Sequence, residues 1–267
     1  MLALFPMKKR LDLLLVEREL APSRQKAQGM ILAGQVLVND QKIDKPGHIV
    51  PEDANLRILG AQRFVSRSGA KLEAALSHFG ISVEGRICAD LGASTGGFTD
   101  CLLQHGAREV HAYDVGRGQL DWSLRSDSRV VVHDQYNVRF ITGEDLPAGI
   151  SLITADLAFI SLTLVLGPVR GALFTGQRRP GDVPEGRTVD LILLVKPQFE
   201  VGKGEVGKGG IVRDSGRRLQ ALQSVESCAR TLGFRVIGSL PSPVAGAGGN
   251  REFLLYLQLV LGLSSGP

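Results

Sequence analysis

Apolar residues in the first sixty positions repeat first with a helical period and then in alternation. Leu11, Leu14 and Leu15 share one helical face. Ser23 opens a second helical run, which ends at Gly34. Short alternating pieces typical of β-strands follow at residues 35–38, 49–50 and 56–58. This order predicts a small α+β domain over residues 1–60, followed by a connection at residues 61–66.

Beyond residue 66 short apolar runs alternate with longer helical stretches, and seven of these runs have the character of strands. Strands separated by helices predict an α/β domain over residues 67–267, built on a Rossmann-like, mostly parallel sheet. Because such sheets bind ligands at the carboxyl ends of their strands, we expect the functional residues there. The predicted strands lie at residues 86–91, 109–114, 130–133, 152–156, 191–196, 234–240 and 253–259.

The composition is that of a folded chain with unevenly distributed charge. Of the 267 residues, 43% are hydrophobic and 22% are charged, which excludes a mainly disordered protein. Residues 1–71 carry 12 Lys and Arg against 7 Asp and Glu, whereas residues 72–267 carry 19 against 20. The net charge of +4 therefore comes from the first part of the chain, which indicates a module that binds a polyanion.

The sequence predicts neither a membrane span nor a metal site. The longest apolar run, residues 253–263, is interrupted by Gln258 and is shorter than the ~18–20 residues that a span requires. The apolar start at residues 1–6 is too short for a signal peptide. Cys88, Cys101 and Cys228 form no C-x-x-C pair, so a reducing cytoplasm is the expected location.

A glycine-rich turn follows the first predicted strand of the second domain. It runs from Asp90 to Gly97, and its glycines let a ligand approach the backbone closely. Ser94 stands where the dinucleotide fingerprint G-x-G-x-x-G requires glycine, which weakens a nicotinamide-cofactor hypothesis. About 20 residues further on, Asp114 offers a carboxylate suited to a ribose diol. These residues predict a sugar-bearing cofactor and leave its identity open.

A second glycine-rich stretch lies after the fifth predicted strand of the sheet. Residues 202–208 satisfy G-x-x-x-x-G-K, but Gly209 follows and offers no hydroxyl group for Mg²⁺. The motif also follows the fifth strand instead of the first. These differences disfavour a nucleoside triphosphatase, and we interpret the stretch as a loop that becomes ordered when substrate binds.

Three short motifs of the first domain carry a family resemblance. Residues 10–16 (R-L-D-L-L-L-V), 23–27 (S-R-Q-K-A) and 34–39 (G-Q-V-L-V-N) resemble the S4 RNA-binding domain of a ribosomal protein and of several RNA-modifying enzymes. In that family the two helices and the following loop present Arg and Lys to phosphates and to the shape of folded RNA. The resemblance implies that Arg10, Arg24 and Lys26 bind RNA.

The glycine-rich turn and the carboxylates after it resemble the S-adenosylmethionine site of class I methyltransferases. The resemblance implies that the turn accommodates the methionine part of S-adenosylmethionine and that Asp114 holds its ribose. Asp134 matches the position that binds the adenine amino group, although residues 133–136 depart from a stretch that usually carries glutamate. The implied cofactor-binding residues are Asp90, Gly92, Ser94, Thr95, Gly96, Gly97, Asp114 and Asp134.

Four further polar residues stand near the ends of predicted elements. They match the K-D-K-E set of the FtsJ-type ribose 2′-O-methyltransferases, and an S4 domain followed by an FtsJ-like domain is the layout of the TlyA family, long labelled hemolysin A. The resemblance continues through residues 65–67, 114–120, 159–162, 196–200, 209–214 and 249–254, while Ala158 departs from the usual serine. The four implied catalytic residues are Lys71, Asp156, Lys196 and Glu252.

The resemblance implies an enzyme that uses S-adenosylmethionine to methylate the ribose 2′-hydroxyl of a cytidine in ribosomal RNA. Its partner would be ribosomal RNA or a ribosomal subunit, and the oligomeric state is left open. Methyl transfer of this kind needs in-line attack on a sulfonium methyl and removal of the hydroxyl proton. Lys196 would take or steer that proton and Asp156 would position Lys196, while Lys71 and Glu252 would hold the ribose and the lysine pair.

Two other functions remain possible at the level of sequence. One is a non-catalytic RNA-binding factor built on a methyltransferase scaffold, against which the intact set of four catalytic residues and the intact glycine-rich turn argue. The other is a pore-forming hemolysin, which the missing signal peptide and membrane span disfavour. The charges of two lysines and two carboxylates sum to zero, so the sequence leaves open whether Lys196 acts as a base or as a charged donor.

Overall fold

The computed structural model describes residues 7–59, 63–175, 186–202, 204, 206–207 and 209–261. The chain divides into two compact units, Met1–Gln62 and Arg63–Pro267. Some predicted features lie outside the described residues: the apolar start, residues 61–62 of the connection, and Lys203, Glu205 and Lys208 of the second glycine-rich stretch. The domain limits drawn at residues 60 and 66 stay predictions.

Within residues 7–59 the first unit contains two helices and five short strands, which confirms the predicted α+β class. Strand β1 pairs antiparallel with β4, and β2 lies between β3 and β5 in a three-stranded antiparallel sheet. The elements are β1 (Lys8–Arg10), α1 (Leu11–Glu17), α2 (Arg24–Leu32), β2 (Val36–Val38), β3 (Gln41–Lys42), β4 (Ile49–Pro51) and β5 (Leu56–Ile58).

The apolar faces of the two helices pack against the strands, as their spacing predicts. Helix α2 begins after Ser23, whose hydroxyl oxygen accepts a hydrogen bond from the Lys26 backbone N–H at 3.2 Å. The sequence pattern did not predict β1 and β3, because they are only three and two residues long and mostly polar. The core of this unit includes Leu11, Leu14, Leu15, Ala27, Ile31, Val36, Val38 and Val50.

The second unit is built on a seven-stranded sheet with the order β11-β12-β10-β9-β6-β7-β8. All neighbouring strands are parallel except that β12 runs antiparallel to both β10 and β11. This arrangement confirms the predicted mostly parallel α/β sheet. The elements are α3 (Ser68–Phe79), β6 (Ile87–Leu91), α4 (Gly97–Gln104), β7 (Glu109–Asp114), α5 (Trp122–Arg125), β8 (Val130–Asp134), β9 (Leu152–Ala155), α6 (Thr163–Thr175), β10 (Arg187–Val195), α7 (Pro197–Glu200), α8 (Ser215–Thr231), β11 (Arg235–Pro241) and β12 (Phe253–Leu261).

Strand β10 is longer than its apolar run suggests. It begins at Arg187, four residues before the predicted start, because its first residues pair with the end of β12, as Arg187 does with Leu261. Hydrogen bonding to a neighbouring strand extends β10 through residues that are polar or β-branched. The apolar run alone could not indicate this extension.

The strand order brings the ends of four elements to one edge of the sheet. Strands β6, β9 and β10 are adjacent and parallel, so their carboxyl ends lie side by side. Strand β12 is antiparallel, and its first residue, Phe253, pairs with Val195 at the end of β10. The residue before β12 therefore lies at the same edge as the residues that follow β9 and β10. Among the described residues, no helix is long and apolar enough to cross a membrane.

Candidate active site

The four residues predicted to be catalytic form two ion pairs at this edge of the sheet. Lys196 Nζ lies 2.6 Å from Asp156 Oδ1, and both residues directly follow strands. Lys71 Nζ, from the first turn of α3, lies 2.5 Å from Glu252 Oε2. The second pair is almost removed from solvent, with Lys71 7% exposed and Glu252 3% exposed. The tertiary structure therefore brings together side chains up to 181 residues apart in sequence.

A cavity of about 410 Å³ is lined by three of these four residues, Lys71, Asp156 and Lys196. Gly246 also borders it, and a Cβ atom at this position would overlap the Glu252 carboxylate. The glycine therefore lets the loop before β12 come close enough for Glu252 to reach Lys71. The remaining lining residues are Ser66, Arg67, Ser68, Gly92, Ala93, Ser94, Thr95, Phe98, Ala158, Val244 and Ala245.

A second cavity, of about 710 Å³, lies beside the first. Asp114 lines it together with Tyr113, Gln119 and residues from two loops, 136–139 and 157–161. The two cavities share four lining residues, so an elongated ligand in the second cavity can present one end to the first. The shared residues are Gly92, Ser94, Asp156 and Ala158.

Asp114 is held in a fixed orientation by two backbone groups. The Ser94 N–H donates to its Oδ2 at 2.8 Å, and the Gly116 N–H donates to its Oδ1 at 2.7 Å. Because a carboxylate has about four acceptor positions, each oxygen can accept a further hydrogen bond from a hydroxyl. Asp114 at the end of β7 therefore keeps free acceptor positions, and its contact with a ribose stays a prediction.

The turn after β6 requires glycine at its first position. Gly92 has a φ of +82°, which side chains disfavour, and a Cβ there would lie 2.8 Å from the Asp156 carbonyl oxygen. The turn therefore approaches the backbone at Asp156 without a side chain between them. Ser94 and Thr95 follow it and border the first cavity.

Four predicted cofactor-binding residues do not line either cavity: Asp90, Gly96, Gly97 and Asp134. Gly96 and Gly97 begin α4 instead. The carboxylate of Asp134 accepts hydrogen bonds from the Gly118 N–H at 3.2 Å and from the Arg125 guanidinium at 2.8 Å. With these partners, Asp134 stabilises the segment between β7 and β8, and its contact with adenine stays a prediction.

Asp90, near the end of β6, is completely buried. The hydroxyl groups of Thr99 and Thr154 donate to its carboxylate at 2.7 and 3.0 Å. Burial raises the pKa of Asp90 from 3.8 to about 7, because the charged form loses its hydration. The Asp90 carboxylate therefore links β6 to β9 and to the first turn of α4.

Replacing Asp90 with asparagine is expected to flatten the pH dependence of stability. A carboxyl group whose pKa is raised in the folded state contributes to the free energy of unfolding. This contribution is fully present below about pH 4 and is lost as the pH rises to about 7. A shift from 3.8 to about 7 corresponds to a loss of about 4 kcal/mol in the free energy of unfolding. Urea denaturation of Asp90→Asn between pH 4 and 8 should show a smaller decline than wild type.

The matched control for Asp90 is Asp127→Asn. Asp127 pairs with Arg129 at the surface and has a pKa lowered by that hydrogen-bonded partner, so its titration affects stability only at more acidic pH. Identical pH profiles for wild type and Asp90→Asn would show that the Asp90 carboxyl does not titrate in this range.

Many residues that line the cavities were not predicted as site residues from the sequence, among them Phe159 and Arg67. Phe159 is 92% exposed, has a φ of +65° and lies with its ring 5.3 Å from that of Phe199. In an apolar string Phe159 would be expected in the core, so no sequence signal marked its exposure. Arg67, beside the start of α3, borders the first cavity. Arg67 belongs to a string that resembles the family, residues 65–67, but it was not predicted as a site residue.

Two of the three predicted RNA-binding residues of the first unit bind a buried carboxylate. Asp12 is completely buried, and its oxygens accept hydrogen bonds from Arg10, from Arg24 at 3.0 Å and from Gln28. The Arg10 guanidinium in particular holds the pKa of Asp12 well below its usual range. The side chain of Arg24 remains 54% exposed. Lys26 is exposed and makes no ion pair within the described part of the chain.

Comparison with known proteins agrees with this architecture. Residues 64–259 match the family of FtsJ-like methyltransferases, and residues 9–56 match the S4 domain. The chain is 44% identical over 251 residues to the 16S/23S rRNA (cytidine-2′-O)-methyltransferase TlyA of Mycobacterium tuberculosis, covering 93% of this chain and 89% of TlyA.

Further relatives carry a different name. Hemolysin A of Brachyspira hyodysenteriae is 41% identical over 252 residues, covering 92% of this chain and 98% of that protein. A solved structure described as a hemolysin, from Streptococcus thermophilus, has a TM-score of 0.69 at 40% identity and covers 95% of this chain and 88% of that one. The chain belongs to the TlyA family, in which an S4 domain precedes an FtsJ-like methyltransferase domain.

Proposed function

We propose that this protein transfers a methyl group from S-adenosylmethionine to the 2′-hydroxyl of a cytidine ribose in ribosomal RNA. The observation that carries the proposal is the Lys196–Asp156 pair, because Asp156 borders both cavities and Lys196 lines the first. The name of the tuberculosis relative supports this substrate and position. Ribosomal subunits in the cytoplasm would then be the physiological partner.

The second cavity, of about 710 Å³, lies within the ~300–1,000 Å³ range of small-molecule sites, and polar side chains such as Asp114 and Gln119 line it. Asp114 would accept hydrogen bonds from the ribose hydroxyls, and the turn at Gly92 would lie against the methionine part. When bound, this cofactor supplies an electrophilic methyl group on a sulfonium centre. The shared border of the two cavities, formed in part by Gly92 and Asp156, is where a methyl donor would be open to the first cavity.

The first cavity would hold the acceptor ribose. Asp156 holds Nζ of Lys196 at its wall, so this nitrogen is placed to take or steer the proton of the attacking hydroxyl. The Lys71–Glu252 pair is electrically neutral as a unit, and its burial restricts the motion of both side chains. The Lys71 ammonium group is therefore a fixed polar group at the edge of the first cavity, where it would contact and orient the ribose.

Replacing Asp114 with alanine is expected to weaken S-adenosylmethionine binding by about 10- to 100-fold. A ribose diol would lose its charge-assisted hydrogen bonds, and a net loss of about 1.5–3 kcal/mol corresponds to this range. Isothermal titration calorimetry measures this change directly. Asp121→Ala is the control, because Asp121 caps α5 outside both cavities. An unchanged dissociation constant for Asp114→Ala would exclude the ribose contact.

The first unit would bind RNA through its exposed basic side chains. Lys26→Glu is expected to lower RNA affinity several-fold at low salt, and less at high salt, because it removes a phosphate contact. Arg24→Glu would also place a second carboxylate beside buried Asp12 and is expected to destabilise this unit. Filter binding together with thermal melting separates the two effects. Wild-type affinity for Lys26→Glu would show that Lys26 does not contact RNA.

One experiment tests the proposed function as a whole. The purified protein is incubated with radiolabelled S-adenosylmethionine and with small or large ribosomal subunits that lack native methylation. Label in ribosomal RNA that maps to the 2′-oxygen of a cytidine is the expected result. Label on a base, or no label on either subunit, would contradict the proposal.

The hemolysin name of some relatives defines a second candidate. Lysis of erythrocytes by the purified protein, with the Lys196→Ala variant in parallel, tests it. Lysis that is independent of Lys196 would establish an activity separate from methyl transfer.

A further inference from the structure

Glu200 connects α7, which begins directly after Lys196, to the loop that begins at Asp156. It is the last residue of α7, four residues after Lys196. Its Oε2 accepts a hydrogen bond from the Ser161 hydroxyl at 2.5 Å, and its Oε1 accepts one from the Leu162 N–H at 2.9 Å. Both donors belong to the loop that begins at Asp156. Each carboxylate oxygen of Glu200 thus holds the neighbouring loop.

Three contacts join the loop that begins at Asp156 to Lys196 and α7, and the hydrogen bonds of Glu200 are the third. The first is the Asp156–Lys196 ion pair at the strand ends. The second is the ring contact between Phe159 and Phe199, with centroids 5.3 Å apart. The third is the pair of hydrogen bonds that Glu200 accepts. Positions 156, 159 and 161–162 of the loop before α6 therefore face Lys196 and positions 199 and 200 of α7 in the same order.

The environment of Glu200 is unfavourable for a charge. Burial raises the pKa of its carboxyl group. None of the ion pairs within the described part of the chain includes Glu200, whereas Asp156 and Glu252 each bind a lysine. A half-buried carboxylate without a cation costs stability, and the two hydrogen bonds that Glu200 accepts offset part of that cost.

We propose that Glu200 is a positioning residue for methyl transfer, because its two hydrogen bonds to Ser161 and Leu162 hold the Asp156 loop in register with Lys196. The proposal rests on the proposed function, in which Lys196 acts on the attacking hydroxyl. Glu200 does not line either cavity and does not touch the substrate. Its loss would displace Asp156 relative to Lys196 and, with it, the Lys196 nitrogen.

The test compares two substitutions at Glu200. Glu200→Ala removes both acceptors and is expected to lower kcat by about 10- to 100-fold, the effect of a displacement near 1 Å, with the S-adenosylmethionine dissociation constant within about twofold of wild type. Glu200→Gln keeps the shape and one acceptor oxygen for the Leu162 N–H, while its amide can donate to the Ser161 oxygen. It should recover kcat to within about threefold of wild type.

Three further measurements separate positioning from folding and from chemistry. Glu226→Ala, which removes a carboxylate paired with Arg230 on α8, is the control and should keep full kcat. Ser161→Ala, in case Glu200→Ala does not fold, should lower kcat about 3- to 10-fold. Amide hydrogen exchange should be at least about tenfold faster at Leu162 in Glu200→Ala than in wild type or Glu200→Gln.

The results distinguish failure of this proposal from failure of the proposed function. Wild-type kcat in Glu200→Ala, or equal loss in Glu200→Gln and Glu200→Ala, would overturn the positioning role. If the wild-type protein transfers no methyl group, the proposed function fails, and hydrogen exchange at Leu162 still decides whether Glu200 holds the loop.

Discussion

Replacing Lys196 with alanine is expected to lower the rate of methyl transfer by about 10³-fold. The substitution removes the nitrogen that Asp156 holds at the cavity wall, so the attacking hydroxyl loses the group that takes or steers its proton. S-adenosylmethionine binding should change by less than about twofold, because the predicted ribose contact at Asp114 is untouched. Single-turnover methylation of ribosomal RNA and calorimetry with the cofactor measure the two quantities.

An arginine at the same position distinguishes the two possible roles of Lys196. Arginine keeps the charge and the donors but does not deprotonate in proteins. If Lys196 steers the hydroxyl as a cation, Lys196→Arg should retain more than a tenth of wild-type activity; if it is the base, this variant should be as inactive as Lys196→Ala. Arg230→Ala, at a surface cation of α8 that pairs with Glu226 and lines neither cavity, is the control. Full activity of Lys196→Ala would exclude both roles.

Replacing Lys71 with methionine is expected to destabilise the second unit by about 3–5 kcal/mol. The reason is that Glu252, only 3% exposed, would be left as a buried carboxylate without its cation. Methionine fills most of the space of the lysine side chain, so the effect arises mainly from the lost charge. The free energy of unfolding in urea at pH 7.5 measures it.

A double variant identifies the cause of this destabilisation. Glu252→Gln in the Lys71→Met background removes the unpaired charge, and stability should return to within about 1–2 kcal/mol of wild type. Methyl transfer should stay low in both variants, because the Lys71 ammonium group is absent. If the double variant is no more stable than Lys71→Met, the unpaired carboxylate is not the cause.

The secondary structure of both units was accessible from the sequence because it depends on local patterns. Helical spacing around Leu11 and alternation after Gly34 indicated the first unit, and seven apolar runs indicated the strands of the second. The exceptions were the short polar strands β1 and β3 and the start of β10 at Arg187. In these segments, pairing with a distant strand determines the conformation.

The residues of the candidate site could be predicted only in part from the sequence. Sequence motifs predicted Asp114, Asp156 and Lys196, because each lies at the carboxyl end of a parallel strand or directly after it. They also included Asp90, which the structure buries completely, and Asp134, which binds Arg125, and the cofactor contacts of both stay predictions. Motifs report which residue types occur at a position, whereas burial and competing partners depend on segments that are distant in sequence.

The sequence by itself determined the two-part architecture, the strand ends at which chemistry was expected, and the family. The tertiary structure alone decided how charges pair: Lys71 with Glu252, Lys196 with Asp156, and Arg10 and Arg24 with Asp12. Hydrophobic periodicity is a property of neighbouring residues, so it can be read along the chain. An ion pair requires two side chains to come within a few ångströms of each other, which only the antiparallel entry of β12 and the packing of α3 achieve for Glu252 and Lys71.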